Sequence, residues 1–243
     1  MKYHYVKTSN HQLFVAMLSA LEARTPREAR ILLLAGEPGT GKSRCVDNIG
    51  AEHNAIHIEG IPSMNVTYLR DLLAYELSCS GGSKFLQQKA IADTFAVRKP
   101  MVILDEAQHG LDKKADCIEY LRRICEQAGS VLILVCHNSE KHRFGEHRLA
   151  HIATRISALV DFVPATLADC QLYLAELCEV GIDVGIAQQA LTQSRGRYRL
   201  LAVACRNLED FATATGKTQL TAADTKGMML CEDAMKSLRK SSK

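Results

Sequence analysis

Short, fully apolar runs alternate with longer stretches of helical period from the start of the chain to Pro164. The runs cover residues 31–35, 101–104 and 131–135. Four or five apolar residues bounded by polar ones read as strands buried on both faces, the kind that parallel sheets use. Residues 55–59 alternate instead, as a shorter strand closed by Gly60 and Pro62, and a last strand is predicted over 157–163. Helical period fills the gaps. A first helix over 11–23 carries Leu13, Val15, Met17, Leu18 and Leu21 and stops at Pro26. A second covers 66–77, with Asn65 or Thr67 offering its cap. A break over 78–83, around Gly81 and Gly82, leads to a helix over 84–98 ended by Pro100. The next helix, 113–128, has Asp112 as its cap and a stripe of Ile118, Leu121, Ile124 and Cys125. Strands alternating with helices predict the α/β class, a three-layer αβα domain around a parallel five-stranded sheet.

Beyond Pro164 the period is helical throughout. Thr166 caps a helix over 167–179 that Gly181 ends, a second follows over 184–194, Gly196 breaks the chain before a third over 197–214, and Thr221 or Ala222 starts a last one. The pattern predicts an α/β domain over 1–164 followed by a small all-α domain over 165–243.

Composition changes this picture little. A chain of 243 residues, 47% of them apolar, can bury a substantial core, and only the tail 236–243 reads as disordered. A formal charge of +3 is too small to require a polyanionic partner. The nine cysteines are odd in number and form no C-x-x-C pair, so they read as reduced thiols, with Cys117, Cys125, Cys170 and Cys178 on helix faces as core packing. No apolar run approaches the ~20 residues of a membrane-spanning helix, and residues 1–5 lack a targeting pattern. A cytoplasmic protein without a membrane partner is expected.

The chemistry concentrates at strand ends. The first apolar run opens into Gly36-Glu37-Pro38-Gly39-Thr40-Gly41-Lys42-Ser43, followed by Arg44, the G-x-x-x-x-G-K-[ST] phosphate loop. Its glycines let successive backbone N–H groups face a polyphosphate, and the helix start that follows favours negative charge. Lys42 would reach the β- and γ-phosphates of ATP, and the Ser43 hydroxyl would ligate Mg²⁺. The second run ends in Asp105-Glu106, which puts carboxylates at the sheet edge where ligands bind, Asp105 for hydrated Mg²⁺ and Glu106 for the lytic water. The third ends in Cys136-His137-Asn138, a further set of polar side chains at that edge. His147 and His151 have the i, i+4 spacing of a metal pair on a helix, but Arg148 stands where H-E-x-x-H hydrolases carry glutamate.

These motifs together, with a late arginine and a helical C-terminal region, resemble the AAA+ ATPases. Within that superfamily the phosphate loop, Leu104-Asp105-Glu106-Ala107-Gln108-His109 and Glu119-Tyr120-Leu121-Arg122-Arg123-Ile124 look like the phage Mu B, TniB and TnsC transposition regulators. The Asp-Glu-Ala-Gln-His signature also occurs in secretion and helicase-loader ATPases. The resemblance implies a C-terminal helical lid, a sensor at Asn138 or His137, an arginine finger acting in trans at Arg155 or Arg148, and a lid sensor at Arg199. It further implies a homo-oligomer, ring or helical filament, with ATP at subunit interfaces on double-stranded DNA, recruiting a transposase. Only residues 1–30 precede the first strand, so no separate helix-turn-helix domain is expected and DNA contacts fall to the ATPase itself. Asn65, Thr67, Ser83 and Lys84, at helix starts, are the candidates. A helicase loader, or a secretion or signalling switch without DNA binding, are the alternatives.

Overall fold

The structure, a computed structural model, describes residues 1–23, 30–79, 82–112 and 114–232. The expectations at Pro26, Gly81, Lys113 and the tail 236–243 lie outside these residues. The chain forms two compact units. One holds the described residues of 13–36 and 42–162; the other holds 1–12, the loop segment 37–41 and the described residues from 163 onward.

The larger unit is built on strands β1 (Ile31–Gly36), β2 (Ile56–Glu59), β3 (Val102–Asp105), β4 (Leu132–His137) and β5 (Ile156–Phe162), all parallel, in the order β2-β3-β4-β1-β5. The three apolar runs occupy β1, β3 and β4, where both faces are covered and no residue of β1 or β3 is exposed. Alternation divides their side chains. Leu33, Leu104, Leu134 and Cys136 pack against helices α3 (Val66–Glu76), α4 (Lys84–Arg98) and α5 (Asp116–Ala128), through Leu69, Leu73, Ile91, Phe95, Ile118 and Leu121. The opposite face bears α2 (Lys42–His53), whose Gly50 sits so near Ile103 that a Cβ would meet its Cδ1 at 3.2 Å. Phe14 of α1 (Ser9–Glu22) meets Phe162 of β5 edge-on at 6.3 Å on that same face. The result is the expected three-layer αβα sandwich. β5 is an edge strand, with Leu159 48% exposed.

Two local expectations change. Asp112 does not cap α5. The N-cap is Ala115, left-handed at φ 56, with no side-chain bond. The histidine pair is also not on one helix: His147 lies in a 3₁₀ turn, His147–Leu149, and His151 in α6 (Ala150–Ala153). Their i, i+4 spacing therefore does not align them as α-helical geometry would.

In the smaller unit α7 (Leu167–Leu177), α8 (Val184–Ser194) and α9 (Tyr198–Thr215) pack through Cys170, Leu174, Ile186, Ala190, Leu201, Ala204 and Leu208. Thr166 caps α7 in a full capping box with Asp169. Asp169 is buried, which pushes its carboxyl up, but the hydrogen bonds it accepts from Ser9 and Thr166 outweigh burial and hold it below the ordinary carboxylate range. Helical period does not run throughout. Residues Gly181–Ile182 (β6) and Gln219–Leu220 (β7) pair as a two-stranded parallel ladder. Nor does a helix grow from Thr221. Asp224 accepts from the Thr221 N–H and hydroxyl, at 2.8 and 2.9 Å, as a capping pair would, yet the chain makes only turns before Gly227 at φ 76. Among the described residues no helix is long and apolar enough to cross a membrane.

Candidate active site

In the larger unit the phosphate-loop ends are fixed by β1 and α2. Gly36 closes β1, in register with His137 of β4. Lys42 opens α2 and folds back so that its Nζ donates to the Gly36 carbonyl at 2.7 Å. Ser43 follows, exposed, and no acidic residue occupies the first turn of α2, so nothing there competes with an incoming anion for the helix dipole.

Asp105 ends β3 with its carboxylate on the α2 face, in the alternation set by Ile103. It is 9% exposed, and its Oδ1 accepts the Glu106 N–H at 2.8 Å. Glu106 is exposed and left-handed at φ 49, ψ 42, an uncommon backbone for a residue with a Cβ and one that recurs at functional sites. The bend turns its side chain off the strand. There Gln108 Nε2 donates to Glu106 Oε2, so the carboxylate is oriented by the signature's own glutamine.

The strand-end trio separates. Cys136 points to the α3–α5 side and is buried, which pushes its thiol up to about 12. His137 falls on the α2 face, and its Nδ1 accepts the Ser139 N–H at 3.2 Å. Asn138, exposed, opens a 3₁₀ stretch, Asn138–Gly145.

In the smaller unit the loop segment 37–41 is held by its own neighbours. The Thr40 hydroxyl donates to the Glu37 carbonyl at 2.8 Å, and Tyr198 N–H donates to the Gly39 carbonyl at 2.8 Å. Gly39 and Gly41 take φ 86 and 88, and a Cβ on Gly39 would meet Arg197 Cβ at 3.2 Å. Glu37 and Pro38 are exposed.

Residues 23–144 match the family model described as AAA domain, half of the 243-residue chain. The chain belongs to the AAA domain family. This AAA domain is an ATPase, and ATP is its nucleotide. Its fold is similar to the ORC2 protein of Aeropyrum pernix in ADPNP–ADP complexes, with a TM-score of 0.70 at 14% identity over 100% of this chain and 73% of that one. Cdc6p of Pyrobaculum aerophilum gives 0.64 at 18%, over 93% and 69%. The RuvB Holliday junction branch migration motor of Thermotoga maritima gives 0.59 at 19%, over 92% and 69%. No curated protein matches the chain.

The candidate arginines lie on separate elements. Arg155 precedes β5, whose first residue is in register with Ile31 at the start of β1. It therefore sits at the amino-terminal sheet edge, about 16 Å of strand from Gly36. Its Nη1 lies 3.6 Å from Glu126 Oε1, with the side chain 41% exposed. Arg148 pairs with Glu146 at 2.5 Å. Arg44 is exposed on α2, and Arg199 is exposed in the first turn of α9.

The candidate DNA contacts divide. Asn65 and Ser83 spend their side chains as N-caps, accepting from Tyr68 N–H at 3.0 Å and Leu86 N–H at 3.3 Å. Thr67 and Lys84 are exposed. Asn65 and Thr67 line a cavity together with Asp112 and Asp116, whose carboxylates repel phosphate. The α4 start carries Lys84 and no acidic residue in its first turn, so it lacks the repulsion found beside Asn65 and Thr67.

Sequence reasoning missed Gly60, which it read only as a strand end. The Gly60 N–H donates to the Asp105 carbonyl at 2.8 Å, and a Cβ at Gly60 would lie 2.5 Å from the Glu106 carbonyl oxygen and 2.9 Å from that of Asp105. The clash is with backbone, so the peptides on both sides of Glu106 must move. Gly60→Ala is expected to lower kcat at least about tenfold and stability by about 1–3 kcal/mol. Turnover and thermal melts check this, and wild-type turnover would contradict it.

Proposed function

We propose that this ATPase uses ATP and Mg²⁺ to assemble on duplex DNA as a filament that regulates DNA transposition, recruiting a transposase to the coated target. The observation that carries the reading is the Leu104-Asp105-Glu106-Ala107-Gln108-His109 segment, in which Gln108 holds Glu106 at the sheet edge that Lys42 and Ser43 share.

The residues present fit the metal, since a hydroxyl at a helix start and a buried carboxylate are hard oxygen donors. Ser43 and Asp105 would hold Mg²⁺, which when bound neutralises charge on the β- and γ-phosphate oxygens. Gly36 to Ser43, with Arg44 beside them, bind the triphosphate through backbone N–H groups and the Lys42 ammonium. Glu106 takes a proton from the attacking water as its oxygen bonds to the γ-phosphorus and the bond to the bridging oxygen breaks, leaving ADP and phosphate. Asn138 or His137 senses the γ-phosphate, and Arg199 is the lid's sensor by its place in Gly196-Arg197-Tyr198-Arg199. Arg155, a strand length from its own loop, completes the ATP of a neighbouring copy, with Arg148 as the other candidate. Lys84 is the leading DNA contact, with Ser83, Thr67 and Asn65 as the other candidates.

Support for DNA as the partner comes from the fold it shares with a Holliday junction branch migration motor. Fluorescence anisotropy with labelled duplex and single-stranded DNA, with and without ATP over a salt series, tests the reading. ATP-strengthened duplex binding that falls steeply with salt is expected, because phosphate contacts release counterions. Preference for single strands would point to helicase loading, and no response to DNA to a signalling or secretion switch; either overturns the proposal.

A further inference from the structure

Asn10, at the start of the first helix, turns its side-chain amide inward and bonds it at both ends. It is 4% exposed. Its Nδ2 donates to the Val163 carbonyl at 2.8 Å and to the Thr40 carbonyl at 3.3 Å, while its Oδ1 accepts the Val163 N–H at 3.2 Å. Two carbonyls on one end of the amide and an N–H on the other leave only this orientation chemically consistent. The residue before it is anchored as well. Ser9 gives its N–H and hydroxyl to Asp169, at 2.8 and 2.7 Å. All of these residues belong to the smaller unit.

The consequence lies in the geometry of a trans peptide, whose C=O and N–H point in opposite directions. The preceding peptide, Gly39–Thr40, is fixed at both ends, its carbonyl by the Tyr198 N–H and its N–H by the Glu37 carbonyl at 3.3 Å. A donor held on the Thr40 carbonyl likewise fixes the next peptide and turns the Gly41 N–H to the side away from Asn10. Gly41, at φ 88, has no steric preference of its own that would hold that orientation. We infer that Asn10 is a positioning residue for ATP, presetting the Thr40–Gly41 peptide so that its N–H serves as a phosphate donor. The inference rests on reading 36–43 as the phosphate cradle. Asn10 itself touches no reacting atom, so its loss raises KM and leaves kcat, the signature of binding made equally in ground and transition states.

Two substitutions separate positioning from packing. Asn10→Asp keeps an acceptor for the Val163 N–H and replaces the donor facing Thr40 with a carboxylate oxygen. Asn10→Ala removes both without adding charge. Each is expected to raise the ATP Kd and KM about five- to tenfold, the loss of roughly one hydrogen bond, with kcat within about twofold of wild type. Ser9→Ala, in the same cluster, is expected to lower the melting temperature and leave Kd alone. The measurements are ATP titration and steady-state kinetics, below the melting temperature of each variant, with Lys42→Ala alongside. If both Asn10 variants bind ATP as wild type does, or behave as Ser9→Ala does, the inference is overturned. If Lys42→Ala also binds as tightly as wild type, the phosphate-cradle reading itself has failed.

Discussion

Glu106→Gln is expected to slow ATP turnover by about 10²–10⁴, the range a positioned general base supplies, while ATP binds as before. The amide keeps the volume and the polar contact with Gln108 but cannot accept the proton of the attacking water. The left-handed backbone at φ 49 and the Gln108 contact hold the side chain in place in either form. Binding should therefore survive. On the proposed function, the substituted protein also stays on DNA, because release follows hydrolysis. Single-turnover kinetics check the first statement and a DNA dissociation rate the second. Wild-type turnover would remove Glu106 from the chemistry.

The second large effect concerns Arg155. Arg155→Ala is expected to lower turnover of the assembled protein by roughly 10³, the lower end of what an arginine finger contributes. Lysine should not substitute, since it lacks the planar fork. The location at the amino-terminal sheet edge makes a contribution to its own loop geometrically unfavourable. A mixing experiment exploits this: Glu106→Gln subunits retain Arg155, and Arg155→Ala subunits retain Glu106. Mixed assemblies should turn over ATP faster than either variant alone, because one protomer can complete a site on the other. Turnover no greater than the sum of the two would place Arg155 outside the site, as a partner of Glu126 only.

What was legible in the sequence was what local chemistry decides. β1, β3 and β4 are apolar on both faces, so their runs stood out whatever they pair with. The boundaries of α4 and α8 were also local, because Ser83 and Asp183 cap them from the adjacent position. What escaped was set by contacts between distant parts of the chain. Gly60 is required by the backbone of residues 105–106, and Asn10 is bonded to residues 40 and 163. Neither carries a motif. The ladder of β6 and β7 is two residues per strand, too short for any period to register. At Thr221 the local signal was present and misled, since a capping pair starts a turn without supplying the apolar face that would extend it into a helix.

Electron microscopy of the protein with Mg²⁺, ATP and duplex DNA, beside the same mixture made with Lys42→Ala, tests most directly whether nucleotide held by residues 36–43 drives assembly on DNA. The wild type is predicted to form continuous coats on the duplex and the variant to leave it bare. Wild-type mixtures containing only separate protomers, or coats formed equally by Lys42→Ala, would contradict it.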